Sequence, residues 1–203
     1  MKIELPQQNN YEVAFSRAAA ILRKVDLEAI RTRCGIRVEK RSLIVPYFNA
    51  ECRITLPEVA VVPEIPLGEK ILLLHYLTSN ENRSHKGEYV SYKNLPGASF
   101  YNRPYRKRGT DRILKTFGAG PEALAPAAVI LGGEYAEIGD LSFRFFAFPR
   151  VEILLVLYRG DEELPPEAEF LYRDDIIDYL SLEDIAVLSG VLASRLIKGK
   201  AIP

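Results

Sequence analysis

The chain is short of the residues that usually carry strong chemistry: it has two cysteines, two histidines and no tryptophan in 203 residues. Cys34 and Cys52 stand alone, with no C-x-x-C pair and no Cys/His cluster. That excludes a disulfide framework and a cysteine-built zinc or iron–sulfur centre, and lone thiols suit a reducing, cytoplasmic setting. No apolar run approaches the roughly 18 residues of a membrane span. The opening MKIELPQQNNYEV lacks the apolar segment of a secretory leader. Formal net charge is zero, which argues against a protein that wraps nucleic acid, since such proteins are broadly basic.

What is present reads as an ordinary globular chain. Apolar residues make up 48% and charged residues 27%, enough for one domain spanning 1–203 with its own core. Residues 1–9 and 199–203 are expected as flexible ends. The charge is unevenly placed. Residues 1–120 hold 20 Lys/Arg against 12 Asp/Glu, and residues 121–203 hold 7 against 15. Such a bipolar chain can meet a protein partner or match charges internally.

Periodicity places the elements. Tyr11, Phe15, Ala18, Leu22 and Val25 recur at helical spacing behind Asn9-Asn10. A shorter helix starts at Asp26 and ends at Cys34-Gly35. Residues 42–48 and 52–56 read as a hairpin, with Cys52 on the buried face as a core thiol. The three prolines between 57 and 66 predict a connection with no strand. A mostly apolar helix covers 67–77 and contains His75. A strand covers 87–93, and the Pro96-Gly97 turn leads into a basic loop. Short helices follow at 110–117 and 122–131. Strands are expected at 134–138, 141–148, 151–158 and 168–172, with 151–158 central because it is nearly continuous Val/Ile/Leu. A short helix runs from Asp174 to Leu180. Ser181-Leu-Glu-Asp184 resembles a capping box opening a last helix that buries Ile185, Leu188, Leu192 and Leu196 and ends at 198–199. Strands do not alternate regularly with long helices. The fold class is therefore α+β: a mostly antiparallel sheet flanked by N-terminal, central and C-terminal helices.

The chemistry gathers between 72 and 108. This stretch holds both histidines, five tyrosines and the densest cationic run, Arg103, Arg106, Lys107 and Arg108. Guanidinium forks with phenol rings bind phosphate or carboxylate. The candidate ligand-binding set is Tyr101, Arg103, Tyr105, Arg106 and Arg108, with His75, His85, Glu88 and Ser91 close by. The bland alternative is a solvated basic loop. His75 and His85, with Glu81 and Glu88, fit no metal-ligand spacing, so no metal site is expected. The many acids of the last 80 residues look like turn and cap chemistry.

The order of motifs resembles a prokaryotic family catalogued as domain of unknown function 3786. The resemblance rests on Asn10-Tyr11, ILLLHYL at 71–77, Gly87-Glu88-Tyr89-Val90-Ser91 with Leu95-Pro96-Gly97, Phe117-Gly118, Leu131-Gly132-Gly133 with Gly139-Asp140, the Phe-Pro-Arg at 148–150, Tyr158 to Glu163, Tyr179-Leu180 and Glu183-Asp184. It runs from residue 10 to about 197. The resemblance implies a setting in anaerobic bacteria and archaea, where some members carry an iron–sulfur domain alongside. This chain lacks cysteines for such a cluster, and the family supplies no catalytic residue or cofactor.

Three functions are therefore carried forward. The leading one is a binding module for an anionic small molecule or cofactor. The second is a protein-interaction accessory of a redox or cofactor-handling enzyme, using the bipolar surface. The third is an enzyme with a His general base and an Arg anion clamp.

Overall fold

Strand β8 (Val151–Tyr158) is the apolar run singled out above, and the computed structural model puts it at the middle of a five-stranded sheet. The structure describes residues 6–79 and 87–200. Ile153, Leu154, Leu155 and Val156 are all fully buried, so both faces of β8 are covered. Truncating Leu155 to Ala would cost about 2–5 kcal/mol, since a packed interior refills such a void only in part.

Before β8 come, in order, helices α1 (Pro6–Leu22) and α2 (Leu27–Cys34), strands β1 (Arg37–Glu39), β2 (Ser42–Tyr47), β3 (Ala50–Thr55) and β4 (Ala60–Val62), and helix α3 (Leu67–Thr78). Strand β5 (Tyr89–Ser91) then leads through one-turn helices into α4 (Asn102–Arg108), α5 (Thr110–Phe117) and α6 (Leu124–Ile130). Strands β6 (Glu134–Ala136) and β7 (Leu141–Phe148) precede β8; β9 (Glu167–Arg173), α7 (Ile176–Tyr179) and α8 (Leu182–Lys200) follow it.

The fold is α+β, with two antiparallel sheets where the sequence suggested one. They run β1-β2-β3-β4 and β5-β9-β8-β7-β6. They meet where β2 passes β7: Phe48 N–H donates to the Ala147 carbonyl at 3.1 Å, and the Tyr47 and Phe148 rings stack at 5.1 Å. Helix α3 seals this junction. Tyr76 stacks on Phe148 at 4.4 Å, its hydroxyl donates to the Cys34 carbonyl at 2.6 Å, and it accepts the Arg150 N–H at 3.2 Å. Helix α8 buries Ile185, Leu188, Leu192 and Leu196, the expected stripe.

The departures have local causes. Residues 60–62 form a strand because Pro57 and Pro63 flank it and leave its ladder with β3 intact. Strand β1 is too short and charged to announce itself. Residues 102–108 are a helix, not a loop: Pro104 lies in the first turn, where its missing N–H has no partner to lose. Strand β5 stops at Ser91, where the chain turns into a one-turn helix that stacks Tyr92 flat on Tyr105 at 3.9 Å. At the two ends, residues 6–9 belong to α1 and 199–200 to α8; residues 1–5 and 201–203 lie outside the described residues. Among the described residues, no helix is long and apolar enough to cross a membrane.

Candidate functional site

Helix α8 starts with the Ser-x-x-Asp box. Ser181 is the N-cap: its Oγ accepts the Asp184 N–H at 3.2 Å, and Asp184 Oδ2 accepts the Ser181 N–H at 3.2 Å and its hydroxyl at 2.7 Å. This arrangement leaves the other carboxylate oxygen, Oδ1, facing outward from the cap. Helix α3 delivers His75 to it, with Nδ1 at 2.8 Å. A group serving helix capping thus also grips an imidazole 109 positions away in sequence. The Asp184 hydrogen bond raises the His75 pKa, and the charges of Asp184 and Glu183 add to it, against the opposing effect of burial. With Nδ1–H committed to Asp184, Nε2 has no hydrogen-bond partner among the described residues.

His75 lines a recess of about 570 Å³ whose walls are single helical stripes: Tyr11 and Ala14 of α1, Gly68, Ile71, Leu72 and His75 of α3, and Asp184 and Val187 of α8. Arg108, the last residue of α4, closes it. The α4 end can reach this position because residue 190 is glycine: a Cβ there would stand 3.3 Å from that of Arg108. The recess continues along α8 into a second one of about 480 Å³, sharing Tyr11, Arg108 and Val187 and adding Arg112, Arg195 and Lys198.

Most cations of this cleft are already matched. Arg112 Nη1 donates to Ser194 Oγ at 2.8 Å. Arg195 donates to Glu69 at 2.7 Å and lies 4.7 Å over both Tyr47 and Phe48. Arg108 differs. Its guanidinium stands 6.0 Å from the Tyr101 ring centre, and its Nη1 is sealed from solvent with no hydrogen-bond partner among the described residues. Tyr101 itself reaches Glu183 only at 3.5 Å, too long for a strong bond. His75 is paired with Asp184, so Arg108 and the exposed Lys198 are the cations of this cleft left without a hydrogen-bonding partner among the described residues.

The residues singled out in the sequence divide between places. His75 and Arg108 share the cleft, with Tyr101 against Arg108. Ser91, Tyr105 and Arg106 line a separate recess of about 330 Å³ that shares no residue with the cleft. There Tyr105 is structural: it stacks on Tyr92 and accepts from the Tyr172 hydroxyl at 3.2 Å, and burial pushes its pKa up. Arg106 pairs with Asp111 at 3.3 Å in an exposed setting. Arg103 is exposed. Glu88 is exposed, and its carbonyl accepts the Asp174 N–H at 2.9 Å. His85 lies outside the described residues. Both thiols are buried and unpaired with each other; burial raises the Cys52 pKa, which keeps it protonated and poorly nucleophilic.

Sequence reasoning missed Asp184 as the partner of His75, along with Arg112, Arg195, Lys198 and Tyr11. The only signal was the capping box itself, which announces a carboxylate at the third helical position. Among the described residues, no group of three or more His, Cys, Asp or Glu is placed to hold a metal.

No curated protein and no solved structure matches the chain. Residues 26–195 match the family described as a domain of unknown function, DUF3786. That span takes in α2 through most of α8, including His75, Arg108 and Asp184 of the cleft but not its α1 wall, and the chain belongs to this family.

Proposed function

We propose that the cleft between α1, α3, α4 and α8 binds a small anionic molecule, a carboxylate or phosphate ester, gripped by Arg108 and protonated His75. The observation that carries this reading is the Arg108 guanidinium, drawn beside the His75–Asp184 pair with one donor unmatched in a protein that matches the neighbouring arginines. An arriving anion meets the part of the Arg108 side chain that lines the cleft, and charge-assisted bonds are about twice as strong as neutral ones. The apolar walls, Ile71, Leu72 and Val187, suit the carbon skeleton of such a ligand.

The test is thermal denaturation with a panel of probes: inorganic phosphate, citrate and a nucleoside monophosphate. A ligand at a hundred times its Kd stabilises the folded state by about 2.7 kcal/mol. At least one probe is expected to raise Tm, and Arg108→Ala to abolish the rise. A rise that survives both Arg108→Ala and His75→Ala would overturn the assignment.

A second reading is favoured by the His75–Asp184 geometry itself. A carboxylate on Nδ1–H fixes the tautomer and leaves Nε2 as a general base toward the recess. In this reading the bound anion is the substrate. Above its raised pKa, His75 accepts a proton while Arg108 holds the charged end. Turnover would then rise with pH through the His75 pKa, whereas simple anion binding would fall. The two buried cysteines, which form no disulfide with each other, support a reducing, cytoplasmic location for either role.

A further inference from the structure

The β9 strand is paired along only part of one edge. Its ladder with β5 runs from Tyr89↔Arg173 to Ser91↔Leu171, yet β9 begins at Glu167. Since β5 is the outermost strand of this sheet, residues 167–169 have β8 on one side and, among the described residues, no strand on the other. The Asp174 N–H donates across that edge to Glu88, so the even-numbered residues of β9 direct their backbone groups outward there. Ala168 accordingly offers an N–H and a C=O to the open side.

That edge does not face bulk water alone. It forms one wall of the 330 Å³ recess, with Tyr105 and Leu114 opposite. Two further features mark the recess as built. Ser91 and Thr110 line it, are 6% and 4% exposed, and have hydroxyl oxygens with no hydrogen-bond partner among the described residues. Buried hydroxyls are normally satisfied. The charge is also one-sided. Glu167 and Glu169 flank Ala168 on the opposite face of the strand, and neither joins an ion pair among the described residues. Past Pro165-Pro166 the groove runs on into a further recess of about 450 Å³ lined by Asp161, Glu162 and Glu163. At the Ser91 end, Arg106 is already opposed by Asp111, leaving the exposed Lys93.

We infer that this groove docks an extended, basic peptide segment of a partner protein by strand addition to β9. One partner residue pairs its backbone with Ala168 and points a small apolar side chain toward Leu114 and Tyr105. The residues before and after it are Lys or Arg and stand opposite Glu167 and Glu169. The register follows from strand geometry, in which alternate side chains share a face and directly opposed charges attract. The Ser91 and Thr110 hydroxyls then gain acceptors or donors from the incoming main chain. This site is independent of the anion cleft and shares no residue with it.

The test uses the full-length protein and a fluorescein-labelled eight-residue peptide with Lys-Val-Lys at its centre, read by fluorescence anisotropy. Saturable binding is expected, weakened about tenfold or more by Glu167→Gln with Glu169→Gln. N-methylation of the central valine, which removes one main-chain donor, is expected to weaken binding to a similar degree, as is a Glu-Val-Glu peptide. Ala168→Pro, which deletes the edge N–H, should abolish binding with Tm unchanged. If that variant fails to fold, the N-methyl peptide decides the question on the unaltered protein. Absence of binding overturns the inference. So does equal binding of the N-methylated peptide, which would reduce the groove to a non-specific acidic surface.

Discussion

The two recesses that draw on α4 carry opposite charge and are built in opposite ways. The cleft along α8 is cationic, and its polar groups are pinned: Asp184 by its own helix cap, Arg112 by Ser194, Arg195 by Glu69. The groove at the β9 edge is acidic along Glu167, Glu169 and the 161–163 turn, and neither Glu167 nor Glu169 joins an ion pair among the described residues. Rigid, converging groups recognise a small ligand by geometry. Loose groups beside an unpaired backbone edge suit a chain that brings its own geometry and orders on arrival. Within a single short helix, Arg108 lines the first recess and Arg106 the second.

The largest expected effect breaks the cleft. Asp184→Ala removes the carboxylate half of the capping box, while the Ser181 cap on the residue 184 N–H remains, and leaves His75 Nδ1–H without its acceptor. It should cost about 2 kcal/mol in urea unfolding, combining a weakened cap with a stranded polar group. Glu183→Ala, one residue away and exposed, should stay within about 0.5 kcal/mol. Equal losses for the two variants would dissolve the distinction between pinned and free acids.

The two arginines give the next contrast. Arg108→Ala should remove anion-induced stabilisation, and Arg103→Ala on the exposed side of α4 should leave it intact. Loss in both variants would mean that anions are held by the field of the whole basic run.

The acid dependence follows from the direction of the His75 shift. Its folded pKa is raised, so the stability contributed by the His75–Asp184 pair is fully present below the unfolded value of about 6.5. It fades as pH rises through the higher folded value. The difference in Tm between the wild-type protein and His75→Gln should therefore be greater at pH 5.5 than at pH 9. A difference that grows with pH would reverse the assignment.

The smallest effect separates stability from binding at the acidic groove. Ser91→Ala deletes a buried hydroxyl that has no hydrogen-bond partner among the described residues, so stability should hold or rise by up to about 1 kcal/mol. Affinity for the basic peptide should fall in the same variant. A clear loss of stability would show that the hydroxyl is satisfied in solution by a partner of its own.

Local chemistry made much of this molecule legible. The Asp26 cap and the Gly35 left-handed stop of α2, the apolar β8, the stripe of α8 and its Ser-x-x-Asp box are all decided by residues within one turn or one strand. The cleft was half legible. His75 and Arg108 could be named because their chemistry is intrinsic. Their meeting depends on Gly190 admitting α4 and on α3 crossing the start of α8, contacts between residues about 80 to 110 positions apart. The same non-local packing divided the expected tyrosine–arginine cluster. A helix turns successive residues by about 100°, so a run dense in cations on paper becomes several faces in space. The β9 edge was invisible, because an unpaired edge is defined by where a neighbouring strand stops.

The central claim, an anion held between Arg108 and His75, is tested most directly by an NMR titration of the His75 imidazole in a His85→Gln background, with and without saturating phosphate or citrate. The account predicts that a bound anion raises the His75 pKa further, and that Arg108→Ala cancels that increment. An imidazole whose titration is indifferent to every anion tried would contradict it.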